Sequence, residues 1–556
     1  MRYYKFITRY NLGRTANLNV SGRTWRTADS IAHPVTTALH HIPTHCANWK
    51  GITAHWIDSD WKLQHTLLEF VEFESPHTGA RMAELIMKCL EYYEIQDKLF
   101  CITTDNASNN DTMARELSDL LDRNDIFWDP ATQHLYCLAH IINLVVRKLI
   151  DSLQSGDHTF KTTLGKIREL AKAARHGSKK PNSMRIACRE AKVTYHLIPF
   201  DVTVRWNSTY RMLEKAVYLR DALDKFVGLH MDDLSDHRLS DHEWGVAEQL
   251  LMILMPFQRC TNRFESNSRS SEVDYVFFGY DMMFNHLEDV DAALQRSRSP
   301  SATFLRTAIS DALGVLRHYY NKTTTMPFVY ADAMILNPRV KLSVFNIDSW
   351  SDEDPQSYKD GCRRRFVQDY LVETTPTTHD DNEPQADTSD AGPVADREYE
   401  EYRKKRIKRS NGGESEFDVY MASPNPVADV DDAFAWWKAN EARFPNLSRM
   451  ARDYLAVPPS GCAVEREFSV SGRIATWQRN RLSAERIAAS MIYKSDLKRE
   501  GLWQKMYDND DWMNIGAMDD DWVDIDDDES GELNGVIPQE WTDAWWKAKV
   551  LQAGRK

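Results

Sequence analysis

Two acidic residues far apart in the chain are the strongest candidates for chemistry. Asp105 directly follows the apolar stretch LFCITT (99–104) and precedes the turn-forming sequence NASNN. A carboxylate at the carboxyl end of a strand projects into the crevice where α/β sheets bind ligands, and hard divalent cations need several such oxygens. The alternative is that Asp105 only caps the helix predicted to follow it.

Glu465 lies in PPSGCAVEREFSVSG (458–472), early in a helix predicted to begin near Cys462. It is either a helix-start charge that complements the helix dipole or a metal ligand, and the motif leaves both open. The arginines around it suit either phosphate contacts or a solvated face. They are Arg466, Arg473, Arg479, Arg481 and Arg486.

Two shorter motifs also admit two interpretations each. Cys137 and His140 form CxxH at a predicted helix start and share a helix face, but zinc needs two further ligands and no second pair is near, which favours buried packing. Arg205 and Trp206 open a predicted helix. They suit a phosphate contact and stacking on an unpaired base, or else a surface arginine beside a core tryptophan.

Basic residues are concentrated in two places. The heptapeptide RKKRIKR suits nuclear import, a DNA-backbone contact or an exposed linker. Its basic members are Arg403, Lys404, Lys405, Arg406, Lys408 and Arg409. A second stripe consists of Lys166, Arg168, Lys172, Arg175, Lys179 and Lys180.

The charge distribution is compatible with nucleic-acid binding despite a net charge of −14. Twelve acidic residues and no lysine or arginine lie between Asp508 and Glu532, so most of this charge belongs to one predicted solvated tail. The eight cysteines are scattered without a CxxC pair, which indicates a reducing compartment. No apolar run approaches the length that spans a bilayer, and no signal-peptide stretch opens the chain.

Hydrophobic periodicity predicts an α/β layout followed by helices. Strands are predicted at 51–58, 67–73, 99–104 and 133–137, the first two as an antiparallel hairpin, with helices at 81–94, 110–121 and 138–153. Residues from 206 to about 320 are predicted to be helical throughout. Residues 374–396 are predicted to be disordered. Residues 1–48 show no sustained period, so we expect loop apart from a short strand at 3–10.

Taken together, several segments resemble the hAT superfamily of DNA transposases. They are GITAHWID (51–58), CITTDNASNN (101–110), CLAHIINLVV (137–146), RWNSTY (205–210), ILNPRVKL (335–342), and AVEREFSVSG (463–472) with RNRLSAERI (479–487). The resemblance implies an α/β fold: an RNase H-like mixed sheet interrupted by a large all-helical insertion, with a helical C-terminal dimerisation region. The expected divisions are an irregular segment 1–48, a core 49–210, an insertion 211–373, a linker 374–430, a dimerisation region 431–505 and an acidic tail 506–556.

The resemblance also implies roles for individual residues. The family holds two Mg²⁺ (or Mn²⁺) ions with two aspartates and one glutamate, and Asp105 and Glu465 match the second aspartate and the glutamate. Arg205 and Trp206 match its DNA-end motif, Cys137 and His140 match a motif that supports the active site, and Arg473, Arg479 and Arg481 are expected to contact DNA. The implied partners are transposon-end DNA and a second copy through 431–503, in the nucleus, with no membrane and no small-molecule substrate.

The sequence departs from the family where the first aspartate is expected. That place holds VTTALHHIPTHCANWK (35–50), which contains no acidic residue. We therefore expect the central strand of the sheet to be missing, with YYKFITRY (3–10) the best candidate to fill its place. No Cys/His-rich zinc module is present in this sequence. An active transposase and an inactive DNA-binding remnant both remain open, as does a purely structural interaction protein.

Large apolar residues in the predicted dimerisation region suit either an internal core or an interface. They are Phe434, Trp436, Trp437, Phe444, Tyr454 and Leu455.

Overall fold

The structure is a computed structural model of the whole chain. The backbone is described for residues 19–20, 23–24, 35–43, 48–72, 78–177, 179–201, 206–265, 273–296, 300–324, 328–343, 355–371, 415–426, 432–461, 491–492 and 495, and side chains from residue 50 onward except at 72, 300 and 301. The predicted strand at 3–10, the predicted disordered segment and the acidic tail lie outside these residues.

A five-stranded mixed sheet forms the α/β part of the chain. Its strands are β3 (Val35–Pro43), β4 (Asn48–Ile57), β5 (Leu63–Glu72), β6 (Leu99–Thr104) and β7 (His134–Tyr136), and their order in the sheet is β5-β4-β3-β6-β7. The first three are antiparallel neighbours, while β6 is parallel to both β3 and β7. The predicted hairpin and the strands at 99–104 and 133–137 are therefore confirmed. Two-residue strands β1 (Asn19–Val20) and β2 (Arg23–Thr24) form a separate pair.

The expectation of a missing central strand is wrong. The strand β3 comes from residues expected to be loop, and it occupies the centre of the sheet between β4 and β6. It pairs with β4 from Thr36 to Pro43 and with β6 from Val35 to Leu39. Its histidines and proline mask the strand pattern, but pairing on both sides satisfies its backbone groups, and tertiary context overrides weak local signals.

Two helices cover one face of the sheet. They are α1 (Gly79–Tyr92) and α2 (Ser108–Asp122), and their apolar sides pack with Ile52, Trp56 and Ile102. The two helices approach closely at Gly79, where an added Cβ would lie 2.6 Å from the backbone nitrogen of Met113. A glycine is required there because any side chain would push the helices apart.

The opposite face belongs to the main hydrophobic core, which continues into the helical region. The predicted helical character from residue 206 to about 320 is confirmed for the described residues. The helices of that region are α7 (Trp206–Tyr218), α8 (Arg220–Leu229), α9 (Met231–Leu234), α10 (Asp241–Glu265), α11 (Val276–Gln295) and α12 (Pro300–Thr324). They are preceded by α3 (Pro130–Gln133), α4 (Leu138–Gly156), α5 (His158–Arg175) and α6 (Lys180–Ala191). Among the helices that the structure describes, none is both long and apolar enough to cross a bilayer.

Shorter helices near the C-terminus join this same core. They are α13 (Val329–Leu336), α14 (Pro355–Arg365, continued by the π-helical turn Phe366–Tyr370), α15 (Glu416–Ala422), α16 (Ala433–Asn440) and α17 (Pro445–Leu455). Every residue of α13 is buried. The C-terminal part of the chain therefore completes the core instead of forming a separate body.

Candidate active-site edge of the sheet

Strands β3, β6 and β7 end, and β4 begins, at one edge of the sheet. Asp105 follows β6 at this edge, which we call the Asp105 edge; its other described members are Lys50, Asn106 and Cys137. The register pairs Leu39 of β3 with Thr104, so β3 continues alongside Asp105. Residues 35–43 contain no aspartate or glutamate. The strand β3, one of the two neighbours of β6, therefore contributes no carboxylate to this edge.

The Asp105 carboxylate uses one oxygen to order the turn before α2. Its Oδ1 accepts hydrogen bonds from the Ala107 backbone N–H (3.1 Å) and from Nδ2 of Asn110 (2.7 Å). The N-cap position of α2 is Ala107, so Asp105 orders the turn without being the capping residue. Oδ2 accepts no hydrogen bond from the described residues.

The C-terminal segment returns to the Asp105 edge. The Pro458 carbonyl accepts a hydrogen bond from Oγ1 of Thr103 (2.8 Å), and the Pro459 carbonyl accepts one from the backbone N–H of Leu138 (2.9 Å). The Gly461 N–H donates to Sγ of Cys137 at 3.3 Å. Glu465 itself lies outside the described residues, as do Arg473, Arg479 and Arg481. It follows Gly461 by four residues, a reach of at most about 14 Å.

The CxxH motif lies where these segments meet. Cys137 is fully buried, and its backbone N–H donates to the Thr104 carbonyl at 2.7 Å. His140 lies three residues along, on the first turn of α4 and only half-buried. The motif thus joins the end of β6 to the returning segment. No group of three His, Cys, Asp or Glu side chains suited to a metal ion occurs among the described residues.

Lys50 brings a positive charge into the Asp105 edge. It lies in β4 opposite His41 of β3 and is only 6% exposed. Burial lowers the pKa of Lys50, and the charge of Asp105 opposes that shift. Both polar side-chain atoms of Asn106 are buried, and neither has a hydrogen-bond partner among the residues that the structure describes. The described residues of this edge offer one carboxylate and one buried lysine, which does not fit a site for two Mg²⁺ ions, since such a site needs several anionic oxygens.

His134, a buried residue of β7, adjoins this edge. Its Nε2 lies 2.8 Å from Oγ1 of Thr104, and its Nδ1 lies 3.9 Å from Oδ1 of Asp111. The same Asp111 oxygen also accepts a hydrogen bond from the Tyr136 hydroxyl. Burial lowers the pKa of His134 to about 4, so the ring is neutral at pH 7.

This histidine gives a testable acid sensitivity. The pKa of a histidine in the unfolded chain is near 6.5, whereas the pKa of His134 in the folded protein is about 4. The unfolded state therefore binds the proton first, and the free energy of unfolding falls by about 3 kcal/mol in all as the pH drops through this interval. The buried carboxyls of Asp274 and Asp453, with pKa values raised to about 6 and about 7, act in the opposite direction. They are common to the wild type and His134→Gln. Urea unfolding at a series of pH values should therefore show a steeper acid loss in the wild type. Parallel profiles would refute a buried neutral His134.

Trp206 begins α7 but is only 3% exposed, and it packs edge-on against Tyr210 in the main core. Arg205 lies outside the described residues. The start of α7 is held by Asp201, whose carboxylate accepts hydrogen bonds from Arg168 (2.6 Å) and Thr209 (2.7 Å). Sequence reasoning missed Asp201, because nothing in its local pattern distinguishes it from a surface aspartate.

Most of the basic stripe is engaged within the chain. Lys166 pairs with Glu243 at 2.7 Å, Arg168 with Asp201 at 2.5 Å and Lys180 with Asp233 at 3.2 Å. Lys172 pairs with Glu169, and Arg175 bonds the Ile198 carbonyl and lies over the Phe200 ring. This stripe therefore serves to assemble the helices and is a poor candidate for a DNA-binding surface. The heptapeptide at 403–409 lies outside the described residues.

The large apolar residues of the C-terminal region form an internal core in this chain. Phe434, Trp437, Phe444, Tyr454 and Leu455 are all buried, and Trp436 is half-buried. The Trp437 ring stacks on Trp61, in the turn between β4 and β5, with ring centroids 6.2 Å apart. Of the two interpretations left open by the sequence, the structure supports the internal core for these residues.

Arg452 and Glu441 both contact the turn between β4 and β5. Arg452 lies over the Trp61 ring, donates to the Asp58 carbonyl (2.8 Å) and pairs with Glu441 (2.6 Å). The Trp61 indole N–H also donates to Glu441, at 3.0 Å. The C-terminal region is thereby fixed against the hairpin of the sheet.

The ILNPRVKL segment connects the helical region to the C-terminal region. Asn337 bonds the buried Asp274, and the Lys341 ammonium group donates to the carbonyls of Tyr420 (2.8 Å) and Ser423 (2.6 Å). The Trp437 indole N–H donates to the Leu336 carbonyl at 2.8 Å. The sequence identified this motif without a role for it, and the structure gives it an architectural one.

Comparisons with known proteins agree with this architecture. Sequence models match for the ZBED1 RNase-like domain at residues 45–130, the ZBED1 RNase-like helical domain at 135–253, and the hAT family C-terminal dimerisation region at 416–497. Over these ranges the chain is similar to RNase-like domains and to a hAT dimerisation region.

Curated relatives narrow the class further. The chain is 27% identical to a putative AC transposase of Zea mays over 81% of this chain and 55% of that protein. It is 26% identical to the putative transcriptional regulator tpeD of Talaromyces stipitatus (82% and 53%) and 24% identical to the zinc finger BED domain-containing protein RICESLEEPER 2 of Oryza sativa (74% and 57%). The chain is hAT superfamily transposase-like. It spans somewhat more than half the length of these relatives.

Proposed function

We propose that this chain is a transposase-derived protein that binds DNA and self-associates in the nucleus, and that its sheet is an RNase H-like core without strand-cleavage activity. The observation that carries the loss of cleavage is the composition of β3, which occupies the centre of the sheet beside Asp105 and has no carboxylate. Strand order and direction support the RNase H-like assignment, since three consecutive antiparallel strands (β3, β4 and β5) are extended by two strands, β6 and β7, that run parallel to β3.

The second candidate is an active transposase. It is favoured by the segment 458–461, which approaches the Asp105 edge and would bring Glu465 near Asp105. In that case Asp105 and Glu465 would hold Mg²⁺ or Mn²⁺, which would activate water and stabilise the leaving oxygen during phosphodiester cleavage. The residues described at the edge fit two ions poorly, so we place this candidate second.

A cleavage assay separates the two candidates. The full chain would be incubated with Mg²⁺ or Mn²⁺ and labelled duplexes from the ends of its own element, next to Asp105→Asn. We expect no metal-dependent nicking or strand transfer by either protein. Cleavage by the wild type that Asp105→Asn abolishes would establish the active candidate.

DNA binding is tested separately, by measuring how the affinity for DNA depends on salt when arginines predicted to contact DNA are replaced. Each phosphate contact steepens the dependence of log affinity on log salt by about 0.9. We therefore expect Arg479→Ala with Arg481→Ala to weaken binding and reduce this slope by about 2. The control is Arg317→Ala, since Arg317 pairs with Glu288 on the surface. Binding without salt dependence, or equal slopes in all three proteins, would contradict the assignment.

Self-association rests on the match to the hAT dimerisation region at 416–497. Deleting 431–503 would remove buried core residues, so deletion is an unsuitable test. Light scattering of the full chain over a concentration series is preferable. We expect a dimer or a larger assembly, and a monomer at all concentrations would contradict self-association.

A further inference from the structure

Helix α6 carries a row of basic residues on the side that faces away from the core. Its buried side consists of Met184, Ala187 and Cys188. On the opposite side lie Arg185, Arg189 and, directly after the helix, Lys192, and all three are exposed. They follow one another at intervals of four and three residues, so they share one face of the helix. We call this row the α6 ridge.

The α6 ridge differs from the basic stripe described above in its lack of acidic partners. In the stripe, for example, Lys172 pairs with Glu169 at 2.7 Å. None of the three ridge side chains forms an ion pair with a residue that the structure describes. The stretch 179–200 contains five lysines and arginines and a single acidic residue, Glu190. The positive charge of the ridge is therefore not neutralised within the described part of the chain.

The segment that follows α6 supports the ridge and adds apolar surface beside it. The guanidinium carbon of Arg185 lies over the Tyr195 ring, 5.3 Å from its centroid. An arginine stacked on a ring loses less conformational freedom when it binds a ligand. Leu197 and Phe200 are each 38% exposed, and Arg175 lies over the Phe200 ring at 4.3 Å. Basic side chains interleaved with aromatic ones are typical of nucleic-acid surfaces.

We propose that the α6 ridge binds the phosphate backbone of DNA without reading its sequence. From Arg185 to Lys192 the helix rises by about 10 Å, a length over which one strand of B-DNA carries about three phosphates. Three unpaired positive charges thus match three negative ones. This inference rests on the proposed function, DNA binding, and deepens it with a contact surface on α6, far along the chain from Arg479 and Arg481.

The test is the salt dependence of DNA binding by the full chain, measured by fluorescence anisotropy with a labelled duplex of arbitrary sequence. The ridge variant is Arg185→Gln/Arg189→Gln/Lys192→Asn. Asparagine is used at position 192 because that residue has a φ of 58°, which asparagine tolerates. We expect the slope of log affinity against log salt to fall by about 2.7, and the affinity at about 100 mM salt to fall at least about tenfold.

A matched control removes the same charge from a different surface. Lys88→Gln/Arg115→Gln/Arg123→Gln alters exposed residues on and directly after the helices α1 and α2, which cover one face of the sheet. This variant should bind DNA as the wild type does, because charges more than about 10 Å away are largely screened. Equal losses in the two variants would show that only net charge matters and would overturn the proposal. A ridge variant that binds like the wild type would also overturn it.

Two further measurements keep the result decisive. If circular dichroism shows that the ridge variant is not folded, Arg189→Gln/Lys192→Asn takes its place. This double variant retains the contact between Arg185 and Tyr195, and it should lower the salt slope by about 1.8. Vesicles of anionic phospholipid test a membrane as the partner. Vesicle binding that is tighter than DNA binding and is lost in the ridge variant would assign the ridge to a membrane and overturn the proposal.

Failure of this proposal is distinguishable from failure of the proposed function. Salt-dependent DNA binding that is weakened by Arg479→Ala with Arg481→Ala, but not by the ridge variant, rejects the α6 ridge alone. A wild-type chain that does not bind DNA at any salt concentration rejects the DNA-binding function, and the ridge with it.

Discussion

Replacing Arg365 with methionine should lower the free energy of unfolding by about 3–5 kcal/mol, because it leaves a buried carboxylate without the positive charge that it pairs with. Asp332 is completely buried on α13, and both of its oxygens accept hydrogen bonds from the Arg365 guanidinium, at 2.5 and 2.6 Å. Burial raises the pKa of Asp332, and Arg365 opposes that shift. Urea unfolding followed by tryptophan fluorescence measures the loss.

The neighbouring arginine provides the control for this prediction. Arg363 lies on the same helix and pairs with Asp418 at 2.7 Å, but both side chains are substantially exposed. Arg363→Met should therefore cost less than about 1 kcal/mol. The double variant Asp332→Leu/Arg365→Met should recover much of the stability lost by Arg365→Met, since an apolar pair replaces a broken ion pair. Equal losses at positions 363 and 365 would show that the buried pair is not what stabilises α13 and α14.

Trp437→Ala should cost a similar amount, about 3–5 kcal/mol, because it removes a fully buried ring and leaves a cavity. It also leaves the Leu336 carbonyl without its donor and removes the stacking on Tyr420 and Trp61. Trp436→Ala is the matched control: this ring adjoins Trp437 but is half-buried, so we expect a smaller loss.

The Trp437→Ala variant also tests whether Trp437 lies in an internal core or at an interface between two chains. If Trp437 is core, as the structure has it, Trp437→Ala lowers stability and leaves the folded protein with an unchanged oligomeric state. Unfolding and light scattering on one preparation give both quantities. Dissociation into stable, folded monomers would contradict the internal core and place Trp437 at an interface.

The sequence was informative where local pattern and structure agree. The stretch LFCITT is a short apolar run bounded by turn signals, and it became β6 with the predicted limits. The helix predicted at 110–121 starts two residues earlier, at Ser108, because the Asp105 turn lies directly before it. Asp105 could be predicted from these neighbours alone, since its position depends on one strand and one turn.

The sequence was uninformative where position depends on distant partners. The strand β3 has no clear alternation, and its identity comes from pairing with β4 and β6. Lys341, Asp201 and Asp332 resemble surface residues in sequence, yet each is a buried or nearly buried anchor between segments far apart in the chain. Lys50 belongs to the same class. A single sequence does not contain the contacts that bury such groups.

The central claim is that the segment carrying Glu465 returns to Asp105, at an edge where β3 brings no carboxylate. An experimental structure of the full chain, by crystallography or cryo-electron microscopy, measures this as the distance between the two carboxyl carbons. We predict less than about 10 Å, the span across which two carboxylates can share ions about 4 Å apart, with no third carboxylate from 35–43 between them. A separation of tens of ångströms, or an acidic side chain from elsewhere filling the position beside β3, would contradict the account.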